Sequence, residues 1–338
     1  MTKKRIALYG AAGHTGQFIA AELARRGFAP VLGGRDGAKL APVAARLGAE
    51  LCEVDALDAR GLDAFLIGTD AIVNAAGPFG DTAPALIEAA LRARLPYLDV
   101  TAEPFVAKEV FERFADPARD AQTIVAPAFA FFGALGDLLV TAALDGHADA
   151  DRVTLAFALD RWRPTKGTRL AGERRAGRRL VRTGGRLEVG DPAQPPSKGS
   201  WQFQPPFGEQ PTVGEFSTVD VVTLSQHIAV DSISTWINQA PLADLATSDS
   251  GGPEAADDSG RSAQQFLIEA VVQRGVEERR ASLYGRDIYA VTAPIVVEAV
   301  SWILDGRAQS VGVVTAGQLF DARGFLAALS PEPLSLRL

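Results

Sequence analysis

Residues 10–16 read Gly-Ala-Ala-Gly-His-Thr-Gly, and they come directly after the apolar run at residues 6–9. A stretch with helical character follows at residues 17–26. A strand, a glycine-rich turn and a helix in this order are typical of a dinucleotide-binding motif. The glycines let backbone approach the phosphates, and the helix N-terminus attracts their negative charge. The spacing is G-x-x-G-x-x-G and not the commoner G-x-G-x-x-G, so the motif needs support from the rest of the chain.

The first 135 residues alternate short apolar strands with helical patterns. Glycines close several of these helical patterns, at Gly27, Gly48 and Gly68, as is typical of helix C-caps. The alternation predicts parallel strands joined by right-handed crossovers, and therefore a Rossmann-type, doubly wound α/β sheet. The predicted strands cover residues 6–9, 30–33, 49–54, 71–75, 97–100 and 123–126.

The pattern changes after Asp151, where strands follow one another without intervening helices. Such a run predicts a second, α+β domain built on a mainly antiparallel sheet. Its predicted strands are 152–159, one or two within 217–230, and a hairpin of 265–272 with 276–283 around Arg274 and Gly275. Residues 190–200 and 248–262 have the composition of loops.

Helical periodicity also occurs at residues 135–144, and it returns after Asp287 at 293–304 and 318–329, around a strand-like segment at 310–314. Thr315 and Gln318 have the spacing of a capping box. The pattern alone does not decide which domain the C-terminal elements join. We expect a first domain at 1–135 and a second at 136–287.

Length, charge and cysteine content exclude several classes of protein. The 338 residues suit two domains, and the net charge of −7 argues against a nucleic-acid partner. The one cysteine, Cys52, excludes an intrachain disulfide and fits a reducing compartment. The longest apolar run, 124–135, is shorter than the ~20 residues of a membrane span. We therefore expect a soluble, cytoplasmic protein with no membrane span.

The end of the second predicted strand bears on the choice of cofactor, because this position contacts the adenosine ribose in dinucleotide-binding folds. It reads Gly34-Arg35-Asp36, with Lys39 one turn into the next helix. A guanidinium beside an ammonium favours a 2′-phosphate, and therefore NADP over NAD. The alternative is that Arg35 and Lys39 only solvate a helix start that Asp36 caps.

Two further strand ends complete the predicted cofactor site. Asp55 follows the third strand, where the adenine would lie, and the small residues after the fourth strand would let backbone lie against the pyrophosphate and the nicotinamide ribose. An ordinary turn built from Gly77 and Pro78 is the alternative at the fourth strand, and a mere helix-start position is the alternative for His14. The predicted cofactor-binding residues are Gly10, Ala12, Gly13, His14, Thr15, Gly16, Gly34, Arg35, Lys39, Asp55, Ala75, Ala76, Gly77 and Pro78.

Together with residues 97–103, Tyr-Leu-Asp-Val-Thr-Ala-Glu, these segments resemble saccharopine dehydrogenase-like NADP-binding domains in order and spacing. Residues 285–294, Gly-Arg-Asp-Ile-Tyr-Ala-Val-Thr-Ala-Pro, are similar to bacterial members of the group. The resemblance implies that the segment 288–338 completes the cofactor domain. It also implies that the inserted β domain carries substrate contacts and often an oligomer interface, so we expect a homodimer. The group includes reductases acting on C–N bonds of amino acids and enoyl reductases acting on lipid chains.

The chain departs from that family pattern in two places. Many members follow the sixth strand with Pro-Gly-x-Gly-Phe-Asp, whereas residues 126–133 here read Ala-Pro-Ala-Phe-Ala-Phe-Phe-Gly and lack the acidic residue. Glu103 follows Ala102, where the family often has glycine. Both departures argue against the amino-acid substrates of the better-known members.

Elimination narrows the reaction to direct hydride transfer. No tyrosine has a lysine four residues later, which excludes the usual short-chain dehydrogenase chemistry. The three histidines are scattered, so no metal site is expected, and a strand position with a structural role is predicted for His227. Tyr97, Asp99 and Glu103 lie at or beyond the fifth strand end, where each could donate a proton or orient the substrate. The alternative for both acids is capping of the helix that begins at Pro104, and Asp137 has the same ambiguity at its own helix.

Residues 161–182 contain nine Lys or Arg residues and one acid, Glu173. Arg169 and Arg174 are the candidates for holding a substrate carboxylate or phosphate, and a solvated surface is the alternative. The leading hypothesis is an NADP-dependent oxidoreductase of saccharopine dehydrogenase-like type, acting on a C=N, C=C or C=O bond of a small or acyl substrate. A non-catalytic NADP-binding redox sensor is the second hypothesis, and an atypical short-chain-type epimerase or reductase is the third.

Overall fold

A computed structural model describes residues 3–175, 177–246 and 251–338. The chain divides into two compact units. The first unit contains the chain up to Ala102 together with Val106–Ala130 and Thr292–Phe320. The second contains Glu103–Phe105, Phe131–Val291 and Asp321–Leu338.

The strands are numbered in chain order. They are β1 (Arg5–Tyr9), β2 (Ala29–Gly34), β3 (Glu50–Glu53), β4 (Ala71–Asn74), β5 (Tyr97–Asp99), β6 (Ile124–Ala126), β7 (Asp149–Leu159), β8 (Leu180–Thr183), β9 (Arg186–Val189), β10 (Lys198–Gln202), β11 (Glu209–Gly214), β12 (Ala229–Asn238), β13 (Gln265–Arg274), β14 (Glu277–Arg286), β15 (Gly312–Val313) and β16 (Leu334–Arg337).

The helices are numbered in the same way. They are α1 (His14–Arg25), α2 (Gly37–Leu47), α3 (Ala59–Phe65), α4 (Phe79–Ala93), α5 (Pro104–Asp120), α6 (Ala134–Leu144), α7 (Lys166–Arg175), α8 (Asp220–Ser225), α9 (Ala240–Ala246), α10 (Thr292–Leu304), α11 (Ala316–Leu319) and α12 (Ala322–Ala328). None of the helices within the described residues is long and apolar enough to cross a membrane.

The first unit is built on a parallel sheet of seven strands in the order β3-β2-β1-β4-β5-β6-β15. The strand order reverses beside β1, as in a doubly wound sheet, so the predicted Rossmann-type architecture is confirmed. The six predicted strands differ from β1–β6 by at most one residue at either end. Strands β1 and β4 are almost wholly buried, as expected of parallel strands covered on both faces.

Glycines with positive φ follow the helices α1, α2 and α3 of this unit, at the positions that the sequence predicts. Gly27, Gly48 and Gly68 have φ values of +86°, +60° and +71°, a conformation that side chains with a Cβ rarely adopt. These turns return the chain to the sheet and fix where each following strand begins.

The C-terminal part of the chain is shared between the two units. Helix α10 packs against α1, where Glu298 accepts hydrogen bonds from Arg26 and from the indole of Trp302, and β15 pairs with β6. Residues 321–338 instead group with the second unit, because α12 packs on α6 and β16 pairs with β14. This division differs from the predicted one, which gave all of 288–338 to the first domain.

The second unit is built on a sheet whose main path runs β10-β11-β12-β7-β13-β14-β16, with β8 pairing with β12 and β9. Among the described strands of this second sheet, only β7 and β12 pair in parallel, so the predicted mainly antiparallel sheet is confirmed. The predicted hairpin is β13 and β14, which pair from Gln265 with Arg286 to Arg274 with Glu277.

The prediction of one or two strands within 217–230 is wrong for most of that range. Residues 220–225 form the helix α8, and β12 begins only at Ala229. The β-branched residues Val221 and Val222 favour a strand locally, but as helix residues they are buried, and burial outweighs intrinsic propensity. His227 therefore lies in the turn after α8, whereas the sequence predicts a strand position for it.

The predicted helix 318–329 is two helices, because Phe320 has extended backbone between α11 and α12. The predicted Thr315–Gln318 capping box is present at α11, and Asp321 caps α12. In the predicted loop 190–200, the last residues begin β10 at Lys198. Of the predicted loop 248–262, residues 248–250 lie outside the described residues, and 251–262 contain no helix or strand.

Candidate cofactor site

The turn after β1 lies at the carboxyl edge of the parallel sheet, between the turns that follow β2 and β4. Tyr9, the last residue of β1, is in register with Gly33 on one side and Asn74 on the other. The Gly10 N–H donates to the Gly33 carbonyl over 2.8 Å, and the Ala75 N–H donates to the Tyr9 carbonyl over 2.8 Å. These bonds bring the predicted glycine motif and two other predicted strand ends together at one edge.

Glycine is required at two positions of this turn by close backbone packing. Gly10 has φ +86°, and a Cβ there would lie 2.7 Å from the Ala76 nitrogen. A Cβ on Gly16 would lie 2.2 Å from the Gly10 carbonyl oxygen, so α1 can approach the turn only with glycine at this position. The motif therefore keeps the start of α1 tight against the edge of the sheet.

The N-terminus of α1 is suited to an anion. The first N–H groups of a helix have no intrahelical acceptor, and the N-cap residue, Gly13, has no side chain to supply one. Gly13 is exposed, whereas Ala12, His14 and Thr15 are half-buried. The His14 ring packs edge-on against Phe18 with centroids 5.3 Å apart. A pyrophosphate at this position would meet backbone donors and the positive end of the helix dipole.

The end of β2 provides an exposed cation, Arg35, for which the described residues supply no hydrogen-bond or ion-pair partner. Asp36 is the N-cap of α2, accepting from the Lys39 N–H over 3.1 Å, and its carboxylate also pairs with the Lys39 ammonium at 2.8 Å. These bonds to Lys39 lower the pKa of Asp36. Arg35 is exposed and makes no hydrogen bond or ion pair within the described ranges, and Gly34 beside it is half-buried. Arg35 is therefore the cation available to a phosphate group here.

Asp55 and Leu57 border the end of β3. Asp55 is exposed and accepts from the Leu57 N–H over 2.8 Å, while the Leu57 side chain is 86% exposed. The Tyr9 hydroxyl donates to the Val54 carbonyl over 3.2 Å, and burial together with the Asp55 charge raises the pKa of Tyr9. Asp55 is thus an open carboxylate beside an exposed apolar side chain, a combination that suits a base and its ribose.

The turn after β4 is fixed by a residue that the sequence-based site omits. Asn74 is fully buried, and its side-chain oxygen accepts from the Ala76 N–H over 3.0 Å. Its amide nitrogen donates to Thr82 over 3.1 Å and to the Tyr97 hydroxyl over 3.2 Å. Thr82 in turn donates to the Ala76 carbonyl over 2.7 Å. A polar residue at the end of the otherwise apolar strand β4 is the sequence signal that could have identified Asn74.

The same hydrogen-bonded chain continues through the ends of β5 and β6. The Tyr97 hydroxyl donates to Asp99 over 3.0 Å, and the Asp99 carboxylate accepts from the N–H groups of Thr101 at 3.0 Å and Ala128 at 2.9 Å. Tyr97 and Asp99 have no exposed surface. Burial, with the adjacent Asp99 charge, raises the pKa of Tyr97 well above its ordinary value. This chain holds the turns after three neighbouring strands in fixed positions.

The remaining predicted residues lie at different places in the fold. Gly77 is exposed, and a Cβ there would meet nothing closer than the Phe79 ring at 3.5 Å, so close packing does not require glycine at this position. Pro78 is the N-cap residue of α4. Glu103 is half-buried immediately before α5 and is grouped with the second unit, unlike Tyr97 and Asp99.

The basic segment 161–182, described except for Ala176, contains the helix α7. Arg169 on this helix is half-buried and Arg174 is exposed, and both interact with other protein groups. Other members of the segment have structural contacts: Arg175 donates to the Phe216 carbonyl at 3.4 Å, and Arg179 pairs with Glu215. Much of the local positive charge is therefore committed to protein contacts.

Two buried carboxylates and a histidine form a separate cluster in the second unit. The His227 ring lies 2.5 Å from Asp137 on α6, and the Gly133 N–H donates to Asp220 over 3.1 Å. A Cβ on Gly136 would lie 2.1 Å from the Asp220 carboxylate. Burial raises the pKa of Asp220 to about 6. Burial alone would lower the pKa of His227, but the Asp137 carboxylate raises it above the ordinary value.

Comparison with known proteins agrees with the geometry of the first unit. Residues 6–125 match the family model described as the saccharopine dehydrogenase NADP binding domain. The first unit carries a saccharopine dehydrogenase-like NADP-binding domain. The match confirms, for residues 6–125, the resemblance drawn from the sequence, and it supports a nicotinamide dinucleotide as the cofactor. No group of three metal-ligating side chains occurs within the described ranges of the chain.

The fold of the whole chain is similar to that of apo saccharopine dehydrogenase (L-Glu forming) from Saccharomyces cerevisiae. The TM-score is 0.70 at 11% identity, over 99% of this chain and 100% of that chain. GenD2 from gentamicin A biosynthesis, solved in complex with NAD, matches over 100% of this chain and 97% of that chain with a TM-score of 0.48 and 14% identity. No curated protein matches the chain. At these identities the likeness concerns the fold and not the substrate.

Proposed function

We propose that the protein is an NADPH-dependent oxidoreductase that transfers hydride to or from a C=N, C=C or C=O bond of a small or acyl substrate. The observation that supports the proposal most strongly is the edge of the parallel sheet. There the glycine turn, the uncapped start of α1 and the exposed Arg35 follow neighbouring strands. We further propose that the protein acts as a cytoplasmic homodimer.

The cofactor would be held by groups with distinct tasks. The turn at Gly10–Gly16 and the N-terminus of α1 would bind the pyrophosphate through backbone N–H groups. Arg35 would bind the 2′-phosphate with its guanidinium fork, and Lys39 would add positive charge beside it. Asp55 would border the adenosine. The lack of a protein partner for Arg35, within the described part of the chain, is what favours a phosphate at this position.

The bound cofactor would supply or accept the hydride, and the protein would provide position and electrostatics. Asn74, Tyr97 and Asp99 would fix the turns against which the nicotinamide lies. We assign Tyr97 and Asp99 this positioning role because neither has an exposed atom to exchange a proton with substrate. Glu103, which is half-buried, is the candidate of the three for contact with the substrate.

The second unit would supply the substrate contacts. It contains a buried aromatic cluster that includes Phe131 and Phe132, with ring centroids 4.7 Å apart, and Phe132 also packs against Phe157 at 5.2 Å. These rings follow the segment in which the acidic residue of the family is missing, so an apolar or acyl substrate fits better than an amino acid. Arg169 and Arg174 on α7 would bind a carboxylate or phosphate of that substrate.

A second candidate function is a redox sensor that binds NADPH without turnover. The burial of Tyr97 and Asp99 favours it, because the two acidic groups nearest the end of β5 have no access to a substrate. A sensor would use the same cofactor contacts and would release or retain a partner according to the redox state of the nicotinamide.

Fluorescence titration with NADPH and NADH, followed by a turnover assay, tests both candidates. We expect saturable binding with preference for NADPH, and oxidation of NADPH with at least one member of a panel of carbonyl, imine and enoyl-ester substrates. Absence of binding, or a clear preference for NADH, would overturn the cofactor assignment. Tight NADPH binding with no turnover across the panel, together with a protein partner recovered by pull-down, would favour the sensor.

A further inference from the structure

One face of the second sheet carries a row of polar and apolar side chains on the opposite side from the helix α6. In register, Leu267 on β13 lies opposite Tyr284 on β14, and Tyr284 lies opposite Ser335 on β16. Ser282 lies opposite Arg337 in the neighbouring row. Directly opposed residues share a face of the sheet, so these five side chains form one surface. The alternate residues of β13 and β14 face α6, which packs on these strands from the other side.

The loop between β10 and β11 closes this surface into a cavity. Gln204, Pro205 and Pro206 form its wall, and the cavity, which is open to solvent on one side, has a volume of ≈ 140 Å³. A volume of this kind holds roughly ten waters, at 10–15 Å³ for each, so a ligand of about that number of heavy atoms would fit.

Specific hydrogen bonds hold the loop over the sheet. Glu269 on β13 accepts from the Gln204 N–H over 2.7 Å and from the indole of Trp201 over 2.8 Å. The Arg337 guanidinium donates to the Gln204 side-chain oxygen over 3.0 Å. The wall is thus anchored at both sides, and the cavity is a built feature of the fold.

The charges around the cavity favour an anion. Of the side chains that line it in the described part of the chain, Arg337 is the charged one, and the hydrogen-bond partner that the structure shows for it is the neutral amide of Gln204. The Glu269 carboxylate is occupied by two N–H donors and forms no ion pair with Arg337. The Tyr284 hydroxyl makes no hydrogen bond to any described residue. The Arg337 guanidinium and the Tyr284 hydroxyl therefore both face the cavity, and each can form further hydrogen bonds.

We propose that this cavity binds a small carboxylic acid with a flat apolar body, at a site separate from the cofactor site. Arg337 and the Tyr284 hydroxyl bind the carboxylate, while Leu267, Pro205 and Pro206 contact the apolar part. A carboxylate fits better than a phosphate, because a dianion facing one guanidinium and apolar walls would stay largely uncompensated.

Titration calorimetry with benzoate, and with benzamide as its neutral counterpart, tests the proposal on the full chain. We expect benzoate to bind saturably, and benzamide to bind roughly tenfold more weakly or worse, because it lacks the charge-assisted pair with Arg337. Equal binding of the two compounds, or no binding of benzoate up to millimolar concentration, would overturn the proposal.

Two variants and a control locate the binding. Arg337→Gln should weaken benzoate binding roughly tenfold or more, and Tyr284→Phe should weaken it roughly fivefold. Arg323→Gln removes a charge from α12 in the same unit, where Arg323 pairs with Asp145, and should leave benzoate binding unchanged. An equal loss in the Arg323 variant would overturn the proposal, since it would indicate a general charge effect. NADPH titration of each variant is the folding control, and its outcome is independent of the benzoate result.

Discussion

Replacement of Asp220 by Asn should stabilise the protein at alkaline pH and have little effect in acid. The Asp220 side chain is fully buried, and its carboxylate accepts from the Gly133 N–H at 3.1 Å. Burial, aided by the negative charge of Asp137, raises its pKa from 3.8 to about 6. The folded protein therefore binds this proton more tightly than the unfolded chain does, and the free energy of unfolding falls as the pH rises from about 4 to about 6.

The size of the effect follows from the two pKa values. The difference between 3.8 and about 6 corresponds to about 3 kcal/mol at pH values well above 6, where the ionised carboxylate is less favourable in the folded state. Asparagine removes this cost and keeps an oxygen that can accept from Gly133. The variant should gain up to about 3 kcal/mol at pH 8, and the difference should vanish near pH 4.

Urea unfolding between pH 4 and pH 8.5, followed by circular dichroism, measures this directly. Hydrogen exchange of the peptide that contains α8 localises the change to the second unit. Asp231→Asn is the matched control, because Asp231 is exposed on β12 of the same unit and should show no such pH-dependent gain. An Asp220→Asn variant that is no more stable than the natural protein at pH 8, or whose advantage is the same at pH 4 and 8, would show that ionised Asp220 does not destabilise the fold.

Three other substitutions have definite expected outcomes. Gly10→Ala should abolish NADPH binding or weaken it strongly and cost at least about 2 kcal/mol of stability, since the alanine would be held at φ +86° with its Cβ 2.7 Å from backbone. Gly252→Ala, at a position where a Cβ meets nothing within 4 Å, should bind NADPH normally in the same titration. Tyr97→Phe should cost about 1–3 kcal/mol in urea unfolding, because the buried side chains of Asn74 and Asp99 lose the Tyr97 hydroxyl as a hydrogen-bond partner. A loss of turnover with unchanged stability would instead indicate that this hydroxyl is catalytic. His227→Gln should cost about 2 kcal/mol at pH 6 and less at pH 8.5. The raised pKa of His227 means that its charged pair with Asp137 stabilises the fold, and this contribution is lost as the pH rises through the folded-state pKa. An equal loss of stability at both pH values would contradict this expectation.

Local sequence rules were sufficient for most of the fold. Glycine positions and apolar runs placed β1–β6 within one residue, because each of these strands is short and alternates with a helical segment. The rules failed at 217–230, where Val221 and Val222 favour a strand by intrinsic propensity but are buried as part of the helix α8. These rules also did not predict that the C-terminal segment is divided between the two units after Phe320, because only the pairing of β16 with β14 shows that β16 joins the second sheet.

The sequence likewise predicts only part of the candidate cofactor site. The motif at 10–16 and Arg35 are readable from the sequence, because a turn and the helix after it depend on neighbours along the chain. The hydrogen-bonded chain from Ala76 through Asn74 and Tyr97 to Ala128 depends on the register of three strands, so its members could not be linked in advance. The pairing of Asp137 with His227 could not be predicted either, because the two residues are 90 positions apart and only the tertiary fold brings them together.

In the proposed cofactor site, this sheet edge binds NADPH and Arg35 recognises the 2′-phosphate. The most direct test is the ratio of the NADH and NADPH dissociation constants, measured by fluorescence titration for the natural protein and for Arg35→Gln. We expect NADPH to bind at least tenfold more tightly than NADH in the natural protein, and the variant to lose roughly tenfold or more of that preference through weaker NADPH binding alone. Equal affinities for the two cofactors in the natural protein, or an unchanged ratio in the variant, would contradict the account.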